Sequence, residues 1–341
     1  MLQLKIEAIK WELPDTATFF FREVSGRKVL YKAGQFITFV FDHHREEIRR
    51  SYSLSSSPDE NLLSITIKRI TNGEISRFML TKLNVGDVLN AVEPAGRFTA
   101  ELFTGEKDIF FFAGGSGITP CFSQIKYILN RTGQSRLTLI YSNRTNLILF
   151  KKELDKLALE HAGRFKIVYL VSSEGNRLNN ELAEELVLKN VQFDLNKAEF
   201  YLCGPFDYMR MVRLTLLYIG IANKQIRKEN FIIETVAVAD NLVNYPPGKV
   251  KIRLNGEVYD ISVGENQSIL QAALQNKIQL PYSCRVGSCS TCAAICKAGK
   301  VVMSANEVLT DNDLDKGWVL TCTGHPVSED VVIEYPGAQD H

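Results

Sequence analysis

A chain of 341 residues is too long for one ordinary domain, and two or three are expected. With 45% apolar and 23% charged residues it has the make-up of a water-soluble globular protein, and a formal net charge of +1 argues against nucleic acid or an anionic membrane as its partner. No apolar run reaches the length of a membrane-spanning helix, and Met1–Ile6 alternates like a strand and lacks the apolar centre of a signal peptide, so a cytoplasmic protein is expected.

Residues 1–103 break into short alternating runs separated by turn residues: Leu2–Ile9, Phe19–Val24, Phe36–Phe41, Leu63–Ile67 and Val88–Val92. Only Ile75–Leu83 reads as a helix, so a small β-barrel is predicted. Within it, Arg50-Ser51-Tyr52-Ser53 offers a cation for a pyrophosphate, a flat aromatic face and a hydroxyl for a ring nitrogen. The strand Ile65–Arg69, with Ile67 and Lys68, leads into Thr71-Asn72-Gly73-Glu74-Ile75-Ser76. That segment is a glycine turn opening a helix N-terminus, which is a ready anion site, with Ser76 as an added donor. Taken alone, such a strand is ordinary structure. His43 and His44 lie in the charged segment Asp42–Arg50 with no third ligand in view, and read as a solvated loop.

Arg50-x-Tyr52-Ser53 followed by Gly73-x-x-Ser76 resembles the flavin-binding barrel of the ferredoxin–NADP reductase superfamily. The resemblance implies that Tyr52 stacks on the isoalloxazine and that Ser53 bonds its reactive edge. It further implies that Arg50 holds the pyrophosphate and that Gly73, Ile75 and Ser76 cradle phosphate beside Ile67 and Lys68. The form of the second motif favours FAD over FMN.

From residue 104 to 236 the pattern changes. Asp108–Ala113 is a near-continuous apolar run, as expected of a strand buried on both faces. Further strands are predicted at Leu137–Tyr141, Phe165–Val171 and Ala198–Cys203, and helices at Phe150–Glu160, Asn180–Leu188 and Asp207–Leu217. This alternation predicts an α/β domain with an open parallel sheet. At the first strand-to-helix switch stands Gly114-Gly115-Ser116-Gly117-Ile118-Thr119-Pro120, where helix N–H groups and bare backbone can approach a pyrophosphate. The glycine order is not G-x-G-x-x-G, yet behind a flavin barrel it matches the nicotinamide-cofactor loop of the same superfamily. The next strand ends Tyr141-Ser142-Asn143-Arg144 with no acid for a ribose 2′-hydroxyl. Arg144, aided by Ser142, suits a 2′-phosphate, so NADPH is favoured over NADH. Cys203-Gly204-Pro205 resembles the family's C-G-P motif beside the nicotinamide. Cys203 is read there as a small group that shapes the pocket, since hydride passes directly between rings. Phe231 is a candidate aromatic cover for the flavin and reads equally as a core strand residue.

Residues 237–249, with Pro246-Pro247-Gly248, form a linker of about a dozen residues. It either lets the last module swing or packs on the body. Residues 250–341 then carry seven basic and eleven acidic side chains, a balance of −4 that leaves +5 on the remainder. Val250–Val263 reads as a hairpin about Asn255-Gly256, and Ser268 with Gln271 as a capping box before a helix stripe. Cys284, Cys289 and Cys292 follow in C-x4-C-x2-C spacing, with Cys322 further on. That is the plant-type pattern for a [2Fe–2S] cluster on four thiolates. A structural zinc site, usually built from two C-x2-C pairs, has only one such pair here. Gly287, Ser283, Ser288, Ser290 and Thr291 let the loop turn without bulk and aim N–H groups at sulfur. Cys121, Cys203 and Cys296 remain as reduced thiols.

The last module resembles plant-type ferredoxins of α+β, β-grasp fold. All three parts in this order resemble the phthalate-dioxygenase-reductase-like branch and the reductase subunits of multicomponent oxygenases, those of phenylacetyl-CoA epoxidases among them. The resemblance implies an electron path from NADPH through FAD to [2Fe–2S] and on to a terminal oxygenase, hydroxylase or desaturase. A reductase of a free ferredoxin or cytochrome, and a redox sensor, are the alternatives.

Overall fold

The computed structural model describes residues 1–43, 46–100, 105–231 and 244–335. The expectations for His44, for the side chain of His43, for linker residues 237–243 and for the tail Gly337–His341 lie outside them. The chain divides into two compact units, Met1–Pro94 with Phe98–Phe231, and Ala95–Arg97 with Ile232–His341.

The first unit begins with β1 (Leu2–Leu13), β2 (Thr16–Glu23), β3 (Phe36–His43), β4 (Glu46–Ser53), β5 (Leu63–Lys68), α1 (Glu74–Lys82) and β6 (Val88–Ala95). The six strands form one sheet in the order β4-β3-β6-β1-β2-β5, and the bridge Leu54↔Ile65 brings its two ends together as a barrel. Strand alternation sets the core: Leu2, Leu4 and Ile6 are buried while Gln3 and Lys5 face solvent. Phe19, Phe21 and Phe39 fill the interior, and Ile75, Met79 and Leu80 of α1 close it.

The same unit continues as β7 (Asp108–Gly114), α2 (Ile118–Leu129), β8 (Arg136–Asn143), α3 (Lys151–Glu160), β9 (Phe165–Val171), α4 (Asn180–Asn190), β10 (Glu199–Cys203), α5 (Phe206–Tyr218) and β11 (Ile226–Glu229). All pairings are parallel, in the order β11-β10-β7-β8-β9. Every residue of β7 is buried because its two faces feed different cores. Ile109, Phe111 and Ala113 join the side covered by α2 and α3, and Phe110 and Phe112 the side covered by α4 and α5. Phe110 stacks on Phe200 at 5.1 Å, worth about 1 kcal/mol beyond its buried area. The barrel is tied to this sheet through α2: Ser123 donates to Ser56 O at 2.6 Å and Gln124 to Phe98 O at 2.6 Å.

The second unit holds β12 (Gly248–Leu254), β13 (Glu257–Val263), α6 (Ile269–Gln275), β14 (Ala293–Ala298), β15 (Val301–Met303), α7 (Asp311–Asp315), β16 (Trp318–Leu320), β17 (Gly324–Pro326) and β18 (Val331–Glu334). The main sheet runs β13-β12-β18-β14-β16, with β12 and β18 parallel and the other pairs antiparallel. The hairpin turns where predicted, with φ of 51° at Asn255 and 83° at Gly256, the two positive values that a tight hairpin demands. The capping box before α6 also forms, with Ser268 Oγ accepting from Gln271 N and Gln271 Oε1 from Ser268 N.

Candidate redox sites

In the barrel, β4 carries Arg50 and Tyr52 on one face and Ser53 on the other. Arg50 is exposed, and Tyr52 is partly buried with its ring 6.3 Å from Phe39. Burial pushes the Tyr52 hydroxyl up to about 12, so it stays protonated. A turn through Gly73 opens α1, and no side chain caps its N-terminus. A Cβ at Gly73 would sit 2.6 Å from Ser76 Oγ and 2.7 Å from Ile70 Cβ, so only glycine fits. Ser76 Oγ donates to Gly73 O and accepts from Ile70 N, both at 3.2 Å. Its hydroxyl therefore shapes the turn, and backbone N–H groups stand beside it as donors for a phosphate. Ile67 and Ile75 are buried, so they can serve only through backbone. Lys68 is 3.8 Å from Asp15.

Beside the barrel, the glycine loop and the Cys203–Pro205 loop pack backbone to backbone. A Cβ on Gly117 would lie 2.2 Å from Cys203 O, on Gly114 2.8 Å from Pro205 Cδ, and on Gly204 3.0 Å from Gly114 Cα. Gly115 is different: its φ is 54° and, among the described residues, nothing lies within 4 Å of its Cβ position. That open space, at a helix N-terminus with no side-chain cap, fits a pyrophosphate. Tyr141 fixes the loop by donating to Gly115 O at 3.0 Å, and Thr119 by donating to Ser116 O at 2.9 Å. At the end of β8 Ser142 Oγ and Asn143 Nδ2 are buried, with the hydroxyls of Tyr208 and Tyr141 beside them. Tyr208 lies close to Ser142, but its hydroxyl donates to Ala113 O at 3.4 Å. Buried polar atoms at a strand end, with the exposed Arg144 next in sequence, suit a polar ligand. Cys203 is fully buried, and burial raises its thiol well above the ordinary range, as it does for Cys121. Both are protonated and neither is a nucleophile. Phe231 follows β11, outside any strand, and is 43% exposed, which removes the core-strand reading.

Sequence reasoning missed Glu229, the last residue of β11 and the parallel neighbour of Cys203. Ser53 donates to Glu229 Oε2 at 3.0 Å, so the barrel hydroxyl and the nucleotide domain meet at one carboxyl. Loss of solvation raises this carboxyl to about 8, with the Ser53 hydrogen bond opposing. It is therefore mostly protonated at neutral pH. The signal in the sequence was an acid two residues before Phe231, which no spacing rule singles out. The folded chain keeps this proton after the unfolded chain has lost it, so stability falls as pH rises from about 4.5 to about 8. Because Glu229 retains some exposure, the expected loss is discounted to about 2 kcal/mol. Glu229→Gln should remove that decline; denaturation of both proteins at about pH 5 and pH 8 checks it, and parallel slopes would refute it.

In the second unit Arg285 takes φ of 62° and Gly287 77°, which folds the cysteine loop back on itself. A Cβ on Gly287 would lie 2.7 Å from Ala305 O. Cys284 N donates to Cys289 Sγ and Val286 N to Cys284 Sγ, each at 3.5 Å, and Thr291 Oγ1 lies 3.5 Å from Cys289 Sγ. The thiols also hydrogen-bond among themselves. Contact with Cys289 and then Cys322 pulls Cys284 far down, and contact with Cys322 pulls Cys292 down. Contact with Cys284 pushes Cys289 and Cys322 up. All four sulfurs thus converge, with Cys292 and Cys322 buried. Among the described residues no three His, Cys, Asp or Glu side chains have the spacing for a single ion. Four thiolates shared between two irons need no such common point. Thr321 anchors its neighbour Cys322: its N and Oγ1 donate to Cys292 O at 3.2 and 3.1 Å, and Leu270 N at the start of α6 donates to Thr321 O at 2.9 Å.

Comparison with known proteins agrees with this division. Residues 3–100 match an oxidoreductase FAD-binding domain, 111–214 an oxidoreductase NAD-binding domain and 252–327 a 2Fe-2S iron-sulfur cluster binding domain. The chain is 30% identical, over 97% of its length and 96% of the relative's, to the ferredoxin reductase component of 3-ketosteroid-9-alpha-monooxygenase from Rhodococcus rhodochrous. It is also 30% identical, over 97% of both chains, to one of the subunits of 1,2-phenylacetyl-CoA epoxidase from Escherichia coli K12. Phthalate dioxygenase reductase shares its fold over 98% of both chains, with a TM-score of 0.62 and 23% identity. An intact type IV self-sufficient cytochrome P450 monooxygenase shares it over 97% of this chain and 40% of its own length, with a TM-score of 0.72 and 20% identity. The chain belongs to the family of oxygenase reductase components, NAD(P)H-dependent oxidoreductases that use FAD and a [2Fe–2S] cluster.

Proposed function

We propose that this chain draws hydride from NADPH and delivers single electrons to a terminal oxygenase or hydroxylase, as a cytoplasmic component of a multicomponent system. The carrying observation is the Ser53–Glu229 hydrogen bond beside the Gly117–Cys203 backbone contact, which sets the flavin motif against the nucleotide loops. Bound flavin supplies the exchange between electron pairs and single electrons. The chain's own residues orient it. Tyr52 offers a ring face, Arg50 and the N–H groups of α1 hold the diphosphate, and Ser53 keeps a hydroxyl at the reacting edge. Glu229 holds that hydroxyl in place and carries a proton on its own carboxyl. Gly114–Thr119 and Cys203–Pro205 seat the nicotinamide nucleotide, and Phe231 covers the flavin ring. Cys284, Cys289, Cys292 and Cys322 hold the cluster, and backbone N–H groups directed at their sulfurs raise its potential. Plant-type clusters sit near roughly −400 mV, so the acceptor lies above that value.

The lack of an acid at the end of β8, with Arg144 in its place, supports the 2′-phosphate coenzyme. Arg144→Ala should weaken NADPH about ten-fold and leave NADH within two-fold. Stopped-flow reduction of the flavin by each coenzyme reads the difference, and equal losses would remove the phosphate role.

A further inference from the structure

Tyr335 stands one residue past β18, and strand alternation turns it to the side of Val331 and Ile333, into the core of the second unit. Its N donates to Arg253 O at 2.9 Å, one step beyond the Arg253↔Glu334 pair, so its backbone is fixed. A buried phenol needs a partner for its O–H, and the partner here is Thr321 Oγ1, 2.7 Å away on a residue that is 0% exposed. The direction of that bond follows from the other contact of the same hydroxyl. Thr321 Oγ1 lies 3.1 Å from Cys292 O, a carbonyl that can only accept, so its single proton goes there. Tyr335 therefore donates to Thr321, and Thr321 donates to Cys292. Burial pushes the Tyr335 hydroxyl well above its ordinary range, so the proton that starts this chain stays in place. Aligned O–H groups polarise one another, and both turn their positive ends toward Cys292, one of the four converging cysteines. Thr321 is also the sequence neighbour of Cys322, the one member of that set from outside the loop. Positive dipole ends directed at an iron–sulfur centre favour its reduced form.

We propose that Tyr335 is a positioning residue for the [2Fe–2S] centre, acting through Thr321 on Cys292 and Cys322 and raising the centre's reduction potential. The proposal rests on the four-cysteine assignment above. The full chain would be reconstituted with iron and sulfide and titrated against redox mediators, with the reduced fraction read by electron paramagnetic resonance. Tyr335→Phe keeps the ring and removes only the hydroxyl. At a fixed potential it should lower the ratio of reduced to oxidised cluster about ten-fold, which is about 59 mV for one electron. Thr321→Val should lower it at least as far, and Thr321→Ser, which keeps the hydroxyl, should stay within about two-fold of wild type. The double variant Tyr335→Phe with Thr321→Val should match Thr321→Val alone, because the tyrosine acts only through the threonine. An unchanged potential in Tyr335→Phe, additive losses in the double variant, or a Tyr335→Phe chain that takes up no cluster would each overturn the proposal. A wild-type chain that takes up no cluster would instead overturn the four-cysteine assignment on which it rests.

Discussion

Cys289→Ser is expected to abolish the cluster's visible absorption and all electron delivery to a protein acceptor, while NADPH-driven reduction of a small dye stays within about two-fold of wild type. The loss is complete because a hydroxyl is a poor iron ligand and Cys289 cannot be spared from a set of four. A rescue by Cys296 is blocked by its position. It lies on β14, paired with Ile333, with its thiol donating to Ala298 O at 3.2 Å. The dye reaction survives because the barrel and nucleotide domain share one compact unit and the cluster lies in the other, each with its own buried core. Loss of dye reduction at full flavin occupancy would show that the two centres do not work independently.

Gly117→Ala should have the next largest effect. The new Cβ would fall 2.2 Å from Cys203 O, 2.5 Å from its carbonyl carbon and 2.8 Å from Gly204 N. All are backbone atoms, so no side chain can swing aside. Either the start of α2 or the Cys203–Pro205 loop must move, and both belong to the proposed nucleotide seat. A strain of about 3 kcal/mol is expected, together with a fall of at least about 100-fold in flavin reduction by NADPH and NADH alike. Flavin content and photoreduction should stay normal, because Tyr52, Arg50 and Gly73 are untouched. Gly163→Ala is the control, since among the described residues nothing lies within 4 Å of its Cβ position. A wild-type reduction rate in Gly117→Ala would mean that the two loops do not form one seat.

Much of this fold is legible in the sequence because local chemistry and tertiary context agree. The Asn255-Gly256 turn, the Ser268–Gln271 box and the Phe165–Val171 strand form at the predicted residues. Where they fail to, the cause is length or distance. The β15 and β17 strands have three residues each, too short to show a period. The β11 strand has four and carries Arg227, Lys228 and Glu229, polar residues tolerated because it is the sheet's edge. Glu229 was missed for the same reason, as its partner Ser53 is 176 residues away and only folding joins them. Ser76 shows what spacing leaves out. The motif offers its hydroxyl to a phosphate, and the turn also holds that hydroxyl between Gly73 O and Ile70 N. The cysteines were the most readable feature, since three of the four converging thiols come from one loop and their spacing is the plant-type one.

The most direct test of the whole account is an anaerobic titration of the full chain with NADPH, followed by visible absorption and by electron paramagnetic resonance. One flavin and one cluster hold three electrons, so the flavin and cluster bands should both bleach by about one and a half equivalents, with a reduced-cluster signal appearing. A flavin band that bleaches while the cluster stays oxidised, in protein whose cluster dithionite does reduce, would contradict it.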